Sequence, residues 1–142
     1  NLIASGYTPV ITHPERLTWV DAHFPVFQRL IGQGAWMQVT AGALTGVFGP
    51  RAKYWGERFV GEGMTHILAT DAHSNGRRRP RLTEGLAVVE RLVGAQEAQR
   101  MVVERPQAIL DNAPPQEHAL PQKEAPSPGF IRQWLSRFRS RT

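Results

Sequence analysis

The chain has 142 residues, a net charge of +5 and no cysteine. That length carries one domain with a core of its own, and the lack of cysteine excludes disulfides, thiolate nucleophiles and sulfur-ligated zinc, leaving His, Asp and Glu to bind any metal. Residues 1–124 hold thirteen of the seventeen Lys and Arg and all twelve Asp and Glu, while Arg132, Arg137, Arg139 and Arg141 supply the remaining charge; basicity gathered in a tail does not spread over a face as a nucleic-acid surface requires, so no nucleic-acid partner is expected.

Strands alternate with helices along the chain, the pattern of an α/β fold with parallel strands. "YTPVIT" is β-prone and ends at His13. The spacing of Phe24, Phe27, Leu30 and Ile31 predicts a helix over about 20–31, stopping before Gly32 and Gly34. "AWMQVT" reads as a second strand leading into a glycine-spaced loop, 41–50, and a helix is expected from about Arg51 to Glu62. "THILAT" is the third strand and delivers Asp71; Leu82, Leu86, Val89, Leu92 and Val93 then mark a helical face, with a further short helix from Ala95 to Glu104, before Pro106. From Pro114 to Pro128, five prolines among Gln, Glu and Ala read as an extended linker. No apolar run approaches the length that spans a bilayer and no signal-peptide pattern is visible, so a cytoplasmic setting is expected.

In parallel α/β folds, ligands gather beyond the carboxyl ends of the strands. His13, Asp71 and His73 fall at such ends, and residues i and i+2 of an extended segment point to one side. Nitrogen and oxygen donors without sulfur suit manganese, iron or zinc. Taken singly, an aspartate here also caps turns and a histidine also serves as a hydrogen-bonded core residue; the three together are harder to explain so. Arg16 and Arg79 follow closely, and a guanidinium fork matches phosphate oxygens at two points. Metal ligands beside arginines are what phosphate-ester hydrolysis uses. Arg77, Arg78 and Arg81 read as rim charges, Glu15 as a ligand or an ion-pair partner of Arg16, His66 as structural because it precedes its strand, and His23 and His118 as exposed. The 41–50 loop lacks the Lys-Ser/Thr ending of a phosphate-binding loop, and no serine nucleophile elbow is present.

The ordered motifs "GYTPVITHPERL", "QVTAGALTGVFG" and "HILATDAHSNGRRRP" resemble the second half of the manganese-dependent protein-tyrosine phosphatases of bacterial capsule and exopolysaccharide synthesis, within the polymerase-and-histidinol-phosphatase (PHP) superfamily. The resemblance covers roughly residues 2–112. It implies the C-terminal part of a distorted PHP-type barrel, parallel strands with helices outside. It further implies metal ligation by His13, Asp71 and His73 in a cluster of Mn2+ ions, Fe or Zn being alternatives, and phosphate binding by Arg16 and Arg79. The arginine loop is one residue longer than the usual spacing, which leaves that second role with Arg78 or Arg79. The implied substrate and partner is the phosphotyrosine tail of a bacterial tyrosine kinase. The family's H-x-H and its other N-terminal ligands would precede Asn1, so the chain reads as the C-terminal portion of the enzyme, inactive alone. Another PHP-type phosphoesterase, acting on histidinol phosphate or a nucleotide, and an inactive interaction remnant are the alternatives.

The expected organisation is therefore a phosphatase portion over 1–112, a Pro-rich linker over 113–128 and a basic amphipathic helix over 129–142. Phe130, Ile131, Trp134, Leu135 and Phe138 fall within an arc of about 140° on a helical wheel. Such a face suits contact with an anionic membrane surface.

Overall fold

A computed structural model describes residues 2–76, 80–115 and 121. The linker and tail readings, a disordered Pro-rich segment and a helix over 129–142, lie outside the described residues. So do His118 and the arginines at 77, 78 and 79.

The elements run β1 (Val10–Thr12), α1 (Val20–Gly32), β2 (Trp36–Thr40), α2 (Ala41–Leu44), α3 (Gly49–Gly61), β3 (Ile67–Ala69), α4 (Thr83–Val93), α5 (Ala95–Gln99), a π turn (Arg100–Glu104) and α6 (Arg105–Leu110). The strands form a parallel sheet in the order β1-β2-β3. Val10 pairs with Trp36, and Thr40 with Ala69. Parallel neighbours need long crossovers, which α1 and α3 supply. All three carboxyl ends therefore open on one edge.

β2 is buried along its whole length, as a central parallel strand must be. Met37 and Val39 face a core built with Phe24, Phe27, Trp55, Phe59, Leu68 and Val89. By the two-residue period, Trp36, Gln38 and Thr40 lie on the opposite face. β1 is shorter than "YTPVIT" promised because Pro9 has no N–H to give the ladder; its carbonyl still accepts from Trp36 N at 2.8 Å.

Other boundaries shift for identifiable reasons. In α1, Pro25 removes a backbone donor and the chain kinks at His23, which is non-helical at φ −125°. The 41–50 stretch is not all loop, since Ala41–Leu44 forms a helical turn and α3 starts at Gly49 with Pro50 in its first turn. The sequence reading ends the last helix before Pro106; instead the chain continues helically to Leu110. A widened π turn precedes the proline, whose ring would clash in a regular helix interior.

Three polar contacts lock the base of the sheet. Arg105 and Glu97, both essentially without solvent contact, form an ion pair at 2.6 Å, and Arg105 also donates to the His66 carbonyl at 3.2 Å. His66 accepts the Met37 N–H on Nδ1 at 3.2 Å and stacks on Trp36 with ring centroids 5.3 Å apart. It is structural, as its place before the strand suggested. Burial, then the nearby Arg105 charge, pushes its pKa down to about 4.

α4 meets α2 at a point where a side chain has no room. A Cβ on Gly85 would lie 2.6 Å from the Ala41 Cβ and 2.8 Å from its Cα. Two predictions follow from these contacts. Gly85→Ala gains about 1 kcal/mol of helix propensity against an overpacking cost of roughly 1–3 kcal/mol, so at this contact with backbone atoms stability should fall by a net of up to about 2 kcal/mol; urea unfolding measures the difference. His66 has a folded-state pKa below its unfolded value of 6.5, so the unfolded chain binds more protons between those values. Its contribution is complete above pH 6.5 and lost as pH falls toward 4, making the chain about 2 kcal/mol less stable at pH 5 than at pH 7 from this group. His66→Asn should remove most of that difference in the same unfolding series.

Candidate functional site

The site begins where β1 ends. His13 donates its N–H to the Gln38 carbonyl at 2.9 Å, prolonging the ladder, and then adopts a left-handed backbone at φ 41°. A 3-10 turn over Pro14–Arg16 follows, with the proline at its start. This reversal sends Glu15 into the interior and Arg16 toward the end of β3. Beyond it, Arg51 of α3 donates to the carbonyls of Leu17 and Thr18, each at 2.9 Å, and to the Asp21 carboxylate. Trp55 Nε1 reaches the same carboxylate at 2.8 Å. The turn carrying Arg16 is thus fastened to α3.

Asp71, two residues past β3, is also left-handed, at φ 51°. Non-glycine residues rarely adopt this conformation, and two of them at the same edge of one sheet mark a functional candidate. Arg16 Nη1 donates to Asp71 Oδ2 at 2.6 Å. Both side chains remain partly exposed, at 29% and 20%. The Arg16 guanidinium also lies over the Phe48 ring, 4.4 Å from its centroid. His73 Nδ1 stands 2.9 Å from the Asp71 carbonyl and 3.7 Å from Asp71 Oδ1.

Four of the five expected site residues, His13, Arg16, Asp71 and His73, therefore lie at the carboxyl edge; the fifth, Arg79, is outside the described residues. Asp71 and His73 do meet, though not because the segment is extended: the left-handed Asp71 turns the chain and His73 folds back onto it. Glu15 is corrected. It is neither solvent-facing nor paired with Arg16 but fully buried, with Oε1 accepting the Thr40 N–H at 3.0 Å. Burial, outweighing its hydrogen bonds, raises its pKa. Arg81 is exposed on the rim, 3.8 Å from Glu84, and His23 is exposed. Phe48 escaped the sequence reading; its only signal was an aromatic residue inside the glycine-spaced 41–50 stretch.

Asp71 and His73 offer oxygen and nitrogen donors of the right type for a divalent metal. Among the described residues, however, no group of three or more His, Asp or Glu side chains stands together to hold an ion. Asp71 is instead engaged by Arg16. These residues do not complete a metal site by themselves.

Comparison with known proteins gives the site a context. Tyrosine-protein phosphatase YwqE of Bacillus subtilis is 35% identical over 112 residues, covering 79% of this chain and 44% of the relative. Tyrosine-protein phosphatase CpsB of Streptococcus pneumoniae is 26% identical over 115 residues, covering 78% and 47%. Among solved structures, one from the work on YwqE of B. subtilis and CpsB of S. pneumoniae, described as unique metal-dependent tyrosine phosphatases, superposes with a TM-score of 0.74 at 31% identity. That match takes in 87% of this chain and 48% of the solved one. The parallel α/β arrangement is thus shared with those phosphatases, and the chain spans about half the length of the curated relatives it matches. Residues 1–111 match the family described as "Capsular polysaccharide synthesis, CpsB/CapC", and the chain belongs to that family.

Proposed function

We propose that these residues form the C-terminal portion of a metal-dependent protein-tyrosine phosphatase of capsule or exopolysaccharide synthesis. Its substrate is the phosphotyrosine tail of a bacterial tyrosine kinase, in the cytoplasm. The observation that carries the reading is Arg16, held between Phe48 and Asp71 at the carboxyl edge of the sheet, in a chain of the CpsB/CapC family.

Arg16 has the fork geometry for two phosphoryl oxygens, and its ring contact with Phe48 keeps the fork oriented at little entropic cost. Arg79, or Arg78 beside it, is its assigned partner on the phosphate. His13, Asp71 and His73 are assigned as this chain's share of a metal centre, with manganese the preferred ion and the remaining donors drawn from polypeptide outside residues 1–142. Such a centre supplies hydroxide near neutral pH and polarises the phosphoryl group. Asp71 then has two competing partners, so phosphate binding to Arg16 loosens a carboxylate that would otherwise be neutralised by it. The basic apolar segment 129–142 is proposed to rest on the membrane surface near the kinase.

The test uses the full-length natural protein with a phosphotyrosine peptide and Mn2+. Arg16→Ala should lower kcat/KM by about a hundredfold, the usual effect of removing one oxyanion-stabilising donor. Asp71→Ala should abolish turnover and, independently of activity, reduce the Mn2+ bound per chain by elemental analysis. Unchanged turnover in both variants, or a preference for histidinol phosphate or a nucleotide over phosphotyrosine, would remove the proposal.

A further inference from the structure

A cleft of about 260 Å³ opens beside Arg16, between the segment that follows β2 and the start of α4. Thr70, the neighbour of Asp71, and Phe48, the ring under Arg16, both line it. A phosphoryl group on Arg16 would therefore stand next to this cleft. At the far side stand Arg81 and Glu84, both exposed and opposite in charge, so the outer end asks for no particular charge in what enters.

The wall is apolar and held in place. Val47 is 62% exposed, an uneconomical position for a valine in a free loop. Its N–H donates to the Gly42 carbonyl at 2.8 Å, and the Thr45 hydroxyl donates to the same oxygen at 3.2 Å, which fixes the loop over α2. Gly42 keeps the floor low: a Cβ there would come within 3.2 Å of Phe48 Cε2 and 3.5 Å of Val47 Cβ. At about 260 Å³ the recess falls just below the roughly 300–1,000 Å³ of pockets that enclose whole small-molecule ligands. That space admits a single aromatic ring.

Resting on the phosphatase reading above, we propose that this cleft is a ring subsite. It takes the aromatic ring of an aryl phosphate monoester whose phosphoryl group lies on Arg16, with Val47 and Phe48 as its apolar wall. Val47 is then a specificity-determining residue that touches no part of the phosphate.

The experiment compares phenyl phosphate hydrolysis with competitive inhibition by inorganic phosphate, in the full-length natural enzyme and its Val47→Ala variant. Because Val47 is largely exposed, truncating it leaves folding intact. Loss of its methyl groups should raise KM for phenyl phosphate about tenfold, the lower end of methylene discrimination in apolar pockets, as suits a wall open to solvent. Inhibition by inorganic phosphate should stay within about twofold of wild type. An active enzyme whose Val47→Ala variant leaves KM for phenyl phosphate unchanged, or weakens phenyl phosphate and inorganic phosphate alike, sinks the subsite alone. A wild-type enzyme that hydrolyses no phosphate ester sinks the phosphatase reading and the subsite with it.

Discussion

Everything at the candidate site depends on β2 being paired on both sides, in parallel, and buried throughout. Because the strand has a two-residue period, its core face is Met37 and Val39, and its other face is Trp36, Gln38 and Thr40. A slip of one residue would put Gln38 and Thr40 into the cluster of Phe24, Phe59 and Val89 and turn the apolar pair away from it. The hydrophobic pattern therefore fixes the register, and the register fixes how far β1 and β3 reach. That is why His13 and Asp71, 58 positions apart by their numbers, turn left-handed at the same edge of the sheet.

Once the edge is set, local chemistry arranges the charges. His13 reverses the chain, Glu15 anchors the reversal on the Thr40 amide, and Arg16 is delivered to Asp71. A partly exposed ion pair adds little to stability, so the Arg16–Asp71 contact matters through placement. Phe48 supports the guanidinium from beneath, a contact a lysine would not reproduce in planar form. The same ring borders the neighbouring cleft, so orientation of the cation and shape of the recess depend on one side chain.

The strands and their order of use were legible because their apolar runs are short, β-branched and bounded by glycine or proline. The carboxyl-edge position of His13, Asp71 and His73 followed from that alone. Glu15 was not legible: beside Arg16 in the sequence it suggests an ion pair, and only the tertiary approach of Thr40 shows that the carboxylate turns inward. Phe48 was missed for the same reason, its role arising from contact with a residue 32 positions away. The helix running through Pro106 depended on a π turn, for which the sequence carries no clear periodic signal. Long-range contacts account for Glu15 and Phe48, and a local change of helix type for Pro106.

The two ends of the sheet divide the ionisable groups by solvent access more than by type. Around the start of β3, His66, Glu97 and Arg105 are buried and linked through Arg105, and burial holds His66 neutral well below physiological pH. A group so placed cannot exchange protons with a substrate without unfolding its surroundings. At the carboxyl edge, Arg16, Asp71 and His73 keep part of their surface in water, at the cost of weaker pairing. Two histidines on either side of β3 thus take opposite parts. His66 accepts a hydrogen bond from the Met37 N–H in the interior and is fixed there, whereas His73 is held through Nδ1 on the Asp71 carbonyl, which leaves Nε2 as the nitrogen free of that contact and available at the edge.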